Sequence, residues 1–232
     1  MLDQAFEALK TYDWGVERNV LNPINEAVIS SRNDAAARKE LESRLVAALK
    51  TPISRDAKDF VCRKLMHIGS VASIPTLAEL LSDKDLSHMA RFALERNPTP
   101  EAAQAIRDAL PKITGPLKLG IISSLGQRKD SASVPLLAKL LMDTDPAIVR
   151  SAALALGSIR TSESAKALSN AKPTSPETQL AVVDASLSCA EALLAAGNKA
   201  DAIAIYKSLL GEGQPKQVRV AATRGMLACA GK

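Results

Sequence analysis

Apolar residues recur along this chain with helical spacing. Val134, Leu137, Ala138 and Leu141 fall at i, i+3, i+4 and i+7, one face of a helix. Ile148, Val149, Ala152, Ala153 and Leu156 form a broader stripe, wide enough to face two neighbours. No segment alternates β-branched and polar residues as a half-buried strand does. The pattern predicts an all-α chain of helix pairs over 54–81, 85–111, 115–142, 145–171 and 176–210, with a last helix near 215–230. Ahead of these, Val16, Val20, Ile24, Ala27 and Val28 predict one helix, and 35–50 another.

The segments repeat. Residues 71–85 (VASIPTLAELLSDKD) and 131–145 (SASVPLLAKLLMDTD) agree at nine of fifteen positions. A weaker copy, Glu101 to Pro111, lies midway, so the period is about 30 residues. Residues 149–153 and 218–222 share Val-Arg-x-Ala-Ala. Pro75 and Pro135 enter the first turn of a second helix, where a missing N–H costs nothing. Gly69, Gly126 and Gly157 are expected at helix ends, taking the left-handed conformation that closes a helix. Asp83, Asp85, Asp143 and Asp145 are expected as turn and N-cap residues. Arg150 and Arg219 are expected to reach back to such an aspartate, Asp143 or Asp145 for Arg150.

One pair buries about four or five large aliphatics, at roughly 1.5–3 kcal/mol each. Ordering about 30 residues costs about 1–2 kcal/mol of backbone entropy apiece. A lone pair should therefore not fold, and stacking is required. Residues 1–53, with Phe6, Tyr12 and Trp14, read as an N-terminal cap, and 54–171 as the repeats. The turn 171–176, Ala-Lys-Pro-Thr-Ser-Pro, leads into 172–232, continuous with the same stack. The last helix, Val218 to Ala230, is expected to expose an apolar face, covered by further repeats or by a second copy.

On these motifs, I/V-P-x-L-x-x-L-L followed by D-x-D-P-x-V-R, residues 54–171 resemble the short bacterial HEAT-like repeats of the PBS-lyase type. The stretch from Leu193 to Tyr206 resembles a tetratricopeptide unit. The resemblance implies an α-solenoid of stacked antiparallel helix pairs, armadillo-like in outline. It also implies a scaffold that binds another protein or another domain of a longer parent chain. Some relatives bind nucleic acid or pigment-carrying partners, and some sit beside catalytic or haem-carrying domains.

Composition narrows the function classes. Alanine is abundant, with 39 residues, and aromatics make up only 3%. The net charge of +5 is spread as −1, +1, +2 and +3 over 1–50, 51–100, 101–150 and 151–232. So shallow a gradient does not mark a nucleic-acid binder. Cys62, Cys189 and Cys229 sit in apolar stretches and read as buried free thiols. His67 and His88 have no partner at metal-ligand spacing, and no nucleotide, zinc-protease or serine-hydrolase motif is present. No enzyme activity, metal or cofactor is expected. A helical-repeat DNA glycosylase has a similar outline, but it needs groove aromatics that the repeats lack. The candidate binding residues are Arg96, Arg128 and Arg160, spaced 32 apart just after successive first helices, with Lys129 beside them. They read either as cations complementing helix C-termini or as an edge for an acidic protein surface or a phosphate backbone. The expected partner is a protein or a neighbouring domain, with nucleic acid as the alternative and self-association through the last helix as a further option. No secretory signal and no apolar run near the length of a membrane span is read, so the default is a soluble, cytoplasmic protein.

Overall fold

The structure is a computed structural model and describes residues 1–231. Fourteen α-helices and no strand occur among the described residues. They are α1 (Leu2–Thr11), α2 (Asn22–Ser30), α3 (Ala35–Leu49), α4 (Arg55–Ile68), α5 (Ile74–Glu79), α6 (Ser87–Arg96), α7 (Pro100–Ala109), α8 (Gly115–Gln127), α9 (Val134–Leu140), α10 (Pro146–Ile159), α11 (Ser162–Ser169), α12 (Pro176–Ala195), α13 (Lys199–Ser208) and α14 (Lys216–Ala230). Each predicted pair corresponds to an observed first and second helix. The helix α1, which carries no aliphatic stripe as regular as those of the repeats, is an addition to the sequence reading.

The chain divides into two compact units, Met1–Ile121 and the remainder from Ile122. In the first, α4 packs on α6 in one layer and α5 on α7 in the other. In the second, α10 packs on α12 and α12 on α14, while α9 packs on α11. First helices thus neighbour first helices, and second helices neighbour second helices, which is the stacking of an α-solenoid.

Local chemistry sets the helix starts. Pro75 and Pro135 lie in the first turns of α5 and α9. Ser54, Asp145 and Thr161 accept from backbone N–H groups as side-chain caps of α4, α10 and α11. Asp83 accepts from the N–H groups of Asp85 and Leu86, and Asp143 from that of Asp145. Buried aliphatics then fill the layers: Ile148, Val149, Ala152, Ala153 and Leu156 on α10, and Val134, Leu137 and Leu141 on and beside α9.

Three expectations are corrected. Gly126 and Gly157 lie inside α8 and α10, and Gly69 follows α4 with an extended φ of −61°. Two of them are glycine because of neighbouring backbone: a Cβ at Gly126 would stand 2.9 Å from the Ala155 Cα, and one at Gly157 2.8 Å from the Ala185 Cα. Arg150 reaches forward, its Nε 3.7 Å from Glu177 in the first turn of α12, because α10 and α12 are adjacent first helices. Lastly, α12 is 20 residues long and apolar enough by composition to cross a membrane (mean hydropathy 1.2). It packs against α10, α11 and α13 and buries Ala181, Val182, Cys189 and Leu193, which makes it the core helix of its unit.

Candidate functional site

The first unit gathers Tyr12, Trp14 and Phe60 around one groove. Helix α1 ends at Tyr12, whose backbone turns extended. Asp13 Oδ1 accepts from the Trp14 N–H (2.8 Å), and Gly15 follows at φ +87°, a conformation other residues rarely adopt. The turn leaves Trp14 85% exposed. Ser54 fixes this turn to the first repeat. Its hydroxyl donates to the Tyr12 carbonyl (2.6 Å) while it accepts from the Ala57 N–H at the start of α4. The buried Tyr12 ring lies 6.5 Å from that of Phe60, centroid to centroid.

One face of α4 supplies the rest. Asp56, Asp59, Phe60, Arg63 and Lys64 are spaced three to four residues apart and share that face. The Arg63 Nε lies 2.9 Å from Asp59, and Arg55 lies 3.3 Å from Asp56. The Lys64 ammonium stands 4.7 Å over the Phe60 ring, a cation–π arrangement. Partial burial, and then the nearby Arg63, lowers the Lys64 pKa from its usual range. Together with Arg18, Asn25 and Met89 these residues line a groove of about 560 Å³. Past Asp59, Arg63 and Met89 a smaller hollow of about 70 Å³ continues to Cys62, His88 and Phe92.

The chemistry on offer is recognition. Aromatic faces and cations sit together, and each aspartate is in an ion pair. Burial, and then the Asp59 charge, pushes the Cys62 thiol up to about 12, so it is a neutral wall atom and no nucleophile at neutral pH. His88 Nδ1 contacts the Arg91 guanidinium (3.1 Å), which also donates to the Gly120 carbonyl (3.0 Å) and ties α6 to α8. Among the described residues no three His, Cys, Asp or Glu side chains converge as a metal site.

The four residues singled out from the sequence occupy different settings. Arg96 ends α6, exposed, with its guanidinium 5.9 Å over Phe92 and so beside the smaller hollow. Arg128, Lys129 and Arg160 belong to the second unit. Lys129 and Arg160 both adopt left-handed backbone, at φ 51° and 60°. They follow α8 and α10, where the Lys129 N–H donates to Gly126 and the Arg160 N–H to Leu156. The true structural equivalents are therefore Lys129 and Arg160, and half-buried Arg128 precedes that position by one residue. The Arg160 Nε donates to the Gly157 carbonyl (3.2 Å), a cation satisfying a helix C-terminus. On α14, Val220 and Leu227 are exposed with Thr223 and Arg224 between them, so that face is mixed.

Sequence reasoning passed over Trp14, Phe60, Arg63 and Lys64 as a site. A usable signal was present in Asp59-Phe60 and Arg63-Lys64, a charged helix face that carries an aromatic.

The match to a family profile agrees with this architecture. The family profile described as HEAT repeats matches residues 103–186, and the chain carries HEAT-like repeats. No curated protein matches the chain. Among solved structures, it is similar to a designed armadillo repeat protein (16% identity, TM-score 0.47, covering 80% of this chain and 98% of that one). It is also similar to human deoxyhypusine hydroxylase in complex with glycerol (14% identity, TM-score 0.41, covering 99% and 96%).

Proposed function

We propose that this protein is a non-catalytic HEAT-like scaffold that binds another protein, or another domain of a longer chain, through the groove of its first unit. The observation that carries this reading is Trp14. A large apolar side chain held 85% exposed by a fixed turn, at the rim of a groove with Phe60 on its wall, gains by being covered. Aromatic and arginine side chains also dominate the energetics of protein interfaces. A binding role is supported over a catalytic one because the groove's aspartates are engaged with Arg55 and Arg63.

Affinity capture from the native lysate tests the reading, with wild-type protein and Trp14→Ala run in parallel and nuclease added to both. A protein that survives nuclease and is depleted at least about tenfold by Trp14→Ala supports it. Identical recoveries with both baits would overturn it.

A further inference from the structure

We infer that the groove of the first unit receives an extended acidic segment of a partner protein, one apolar side chain flanked by carboxylates; this rests on the scaffold reading above. The charges decide the chemistry. The groove is lined by four cations, Arg18, Arg55, Arg63 and Lys64, and two acids, Asp56 and Asp59. The aspartates hold Arg55 and Arg63 at 3.3 and 2.9 Å, so the charge left over is that of Arg18 and Lys64. Neither of these two makes an ion pair among the described residues. Lys64 lies on the Phe60 ring, and Trp14 lines the same groove. An incoming apolar side chain therefore meets aromatic surface while its flanking carboxylates meet Arg18 and Lys64, the two groove cations outside ion pairs.

The same arrangement disfavours a polyanion. A phosphate backbone laid along the groove would meet only two cations outside ion pairs, Arg18 and Lys64. It would also have no continuous row of free cations to track. Two isolated positive charges beside apolar surface match a short acidic peptide better, since such charge complementarity supplies specificity and orientation.

Trp14 reports on the site directly, being the only tryptophan in the chain. The probes are arrayed octapeptides, each with one central Leu, Ile, Phe or Trp flanked by Asp or Glu, together with the same peptides bearing Lys and an eight-nucleotide oligothymidylate. Arrayed binding selects probes, and for peptides without Trp the emission of Trp14 then follows titration. The expected result is saturable binding of acidic peptides with a blue shift of Trp14 emission. Arg18→Glu and Lys64→Glu should each weaken Kd about tenfold or more while leaving the thermal midpoint within a few degrees. Binding of Lys peptides in preference to acidic ones would overturn the inference but leave the scaffold reading standing. Saturation by oligothymidylate alone would overturn both. Absence of binding by every probe would overturn the acidic-segment assignment, and the Trp14→Ala capture would then decide the scaffold reading separately.

Discussion

The two units build one repeat by different means. In the first, polar side chains tie successive turns together. Buried Glu42 on α3 accepts from the Ser70 N–H (2.6 Å) and hydroxyl (2.7 Å), and buried Asn97 donates to the Gly69 and Ser70 carbonyls (both 3.1 Å). In the second, glycines let neighbouring elements approach closely, Gly126 against the Ala155 backbone, Gly157 against the Ala185 backbone, and Gly225 against the Tyr206 ring. Directional bonds between turns leave helix faces free to carry Phe60, Arg63 and Lys64. Close Gly–Ala contact commits the face to packing. The unit with the more polar joints is thus the one with surface to spare for a ligand.

This contrast breaks most sharply at Gly157. A leucine there has no room beside the Ala185 backbone, and helices α10 and α12 must separate. Gly157→Leu should cost about 3 kcal/mol, the upper part of the overpacking range. Chemical denaturation followed by circular dichroism would read this as an early unfolding transition. In the first unit Glu42→Ala should cost about 2 kcal/mol, because it strands the Ser70 N–H and hydroxyl. A smaller loss for Gly157→Leu than for Glu42→Ala would reverse the assignment of packing and polar joints.

How far this division is legible in the sequence depends on the range of the interactions involved. Helix positions are readable because each is fixed locally, by a proline in a first turn, an aspartate cap and aliphatics three and four apart. Glycine roles are not, since Gly157 reads like a helix end until Ala185, 28 residues on, is placed against it. The groove is hidden for the same reason. Trp14 and Phe60 count as scarce aromatics in a composition, and their segments are brought together by the Ser54 bond to Tyr12 and the Tyr12–Phe60 ring contact. The Arg96, Arg128 and Arg160 spacing illustrates the converse. An even interval in sequence fell across two different backbone settings, and the equivalent left-handed residues are Lys129 and Arg160.

Alkaline pH should separate stability from binding chemistry. Burial raises the Cys62 thiol to about 12 and the Cys189 thiol to about 11 in the folded chain, against an ordinary value of 9.0. Above pH 9 the unfolded chain loses these protons first, so it is favoured as pH rises and stability falls through the window up to 11–12. Each thiol contributes a slope of up to about 1.4 kcal/mol per pH unit. Denaturation midpoints measured from pH 8 to 11 should therefore fall, and the double variant Cys62→Ala, Cys189→Ala should flatten the curve. An unchanged slope in the variant would assign the loss to other groups.

The smallest expected effect tests the comparison most directly. Trp14 is 85% exposed, and its turn is held by Asp13, Gly15 and the Ser54 bond to the Tyr12 backbone, none of which uses the indole. Trp14→Ala should consequently change stability by less than about 0.5 kcal/mol, as exposed substitutions away from caps and networks do. If the variant instead lost 2 kcal/mol or more, the indole would be part of the cap's packing, on the scale of a buried large side chain. Its exposure would then be no sign of an awaiting partner, and the first unit would be packed as tightly as the second. A neutral result combined with lost partner capture makes Trp14 a residue kept at the surface for binding, which is what the polar joints of its unit leave room for.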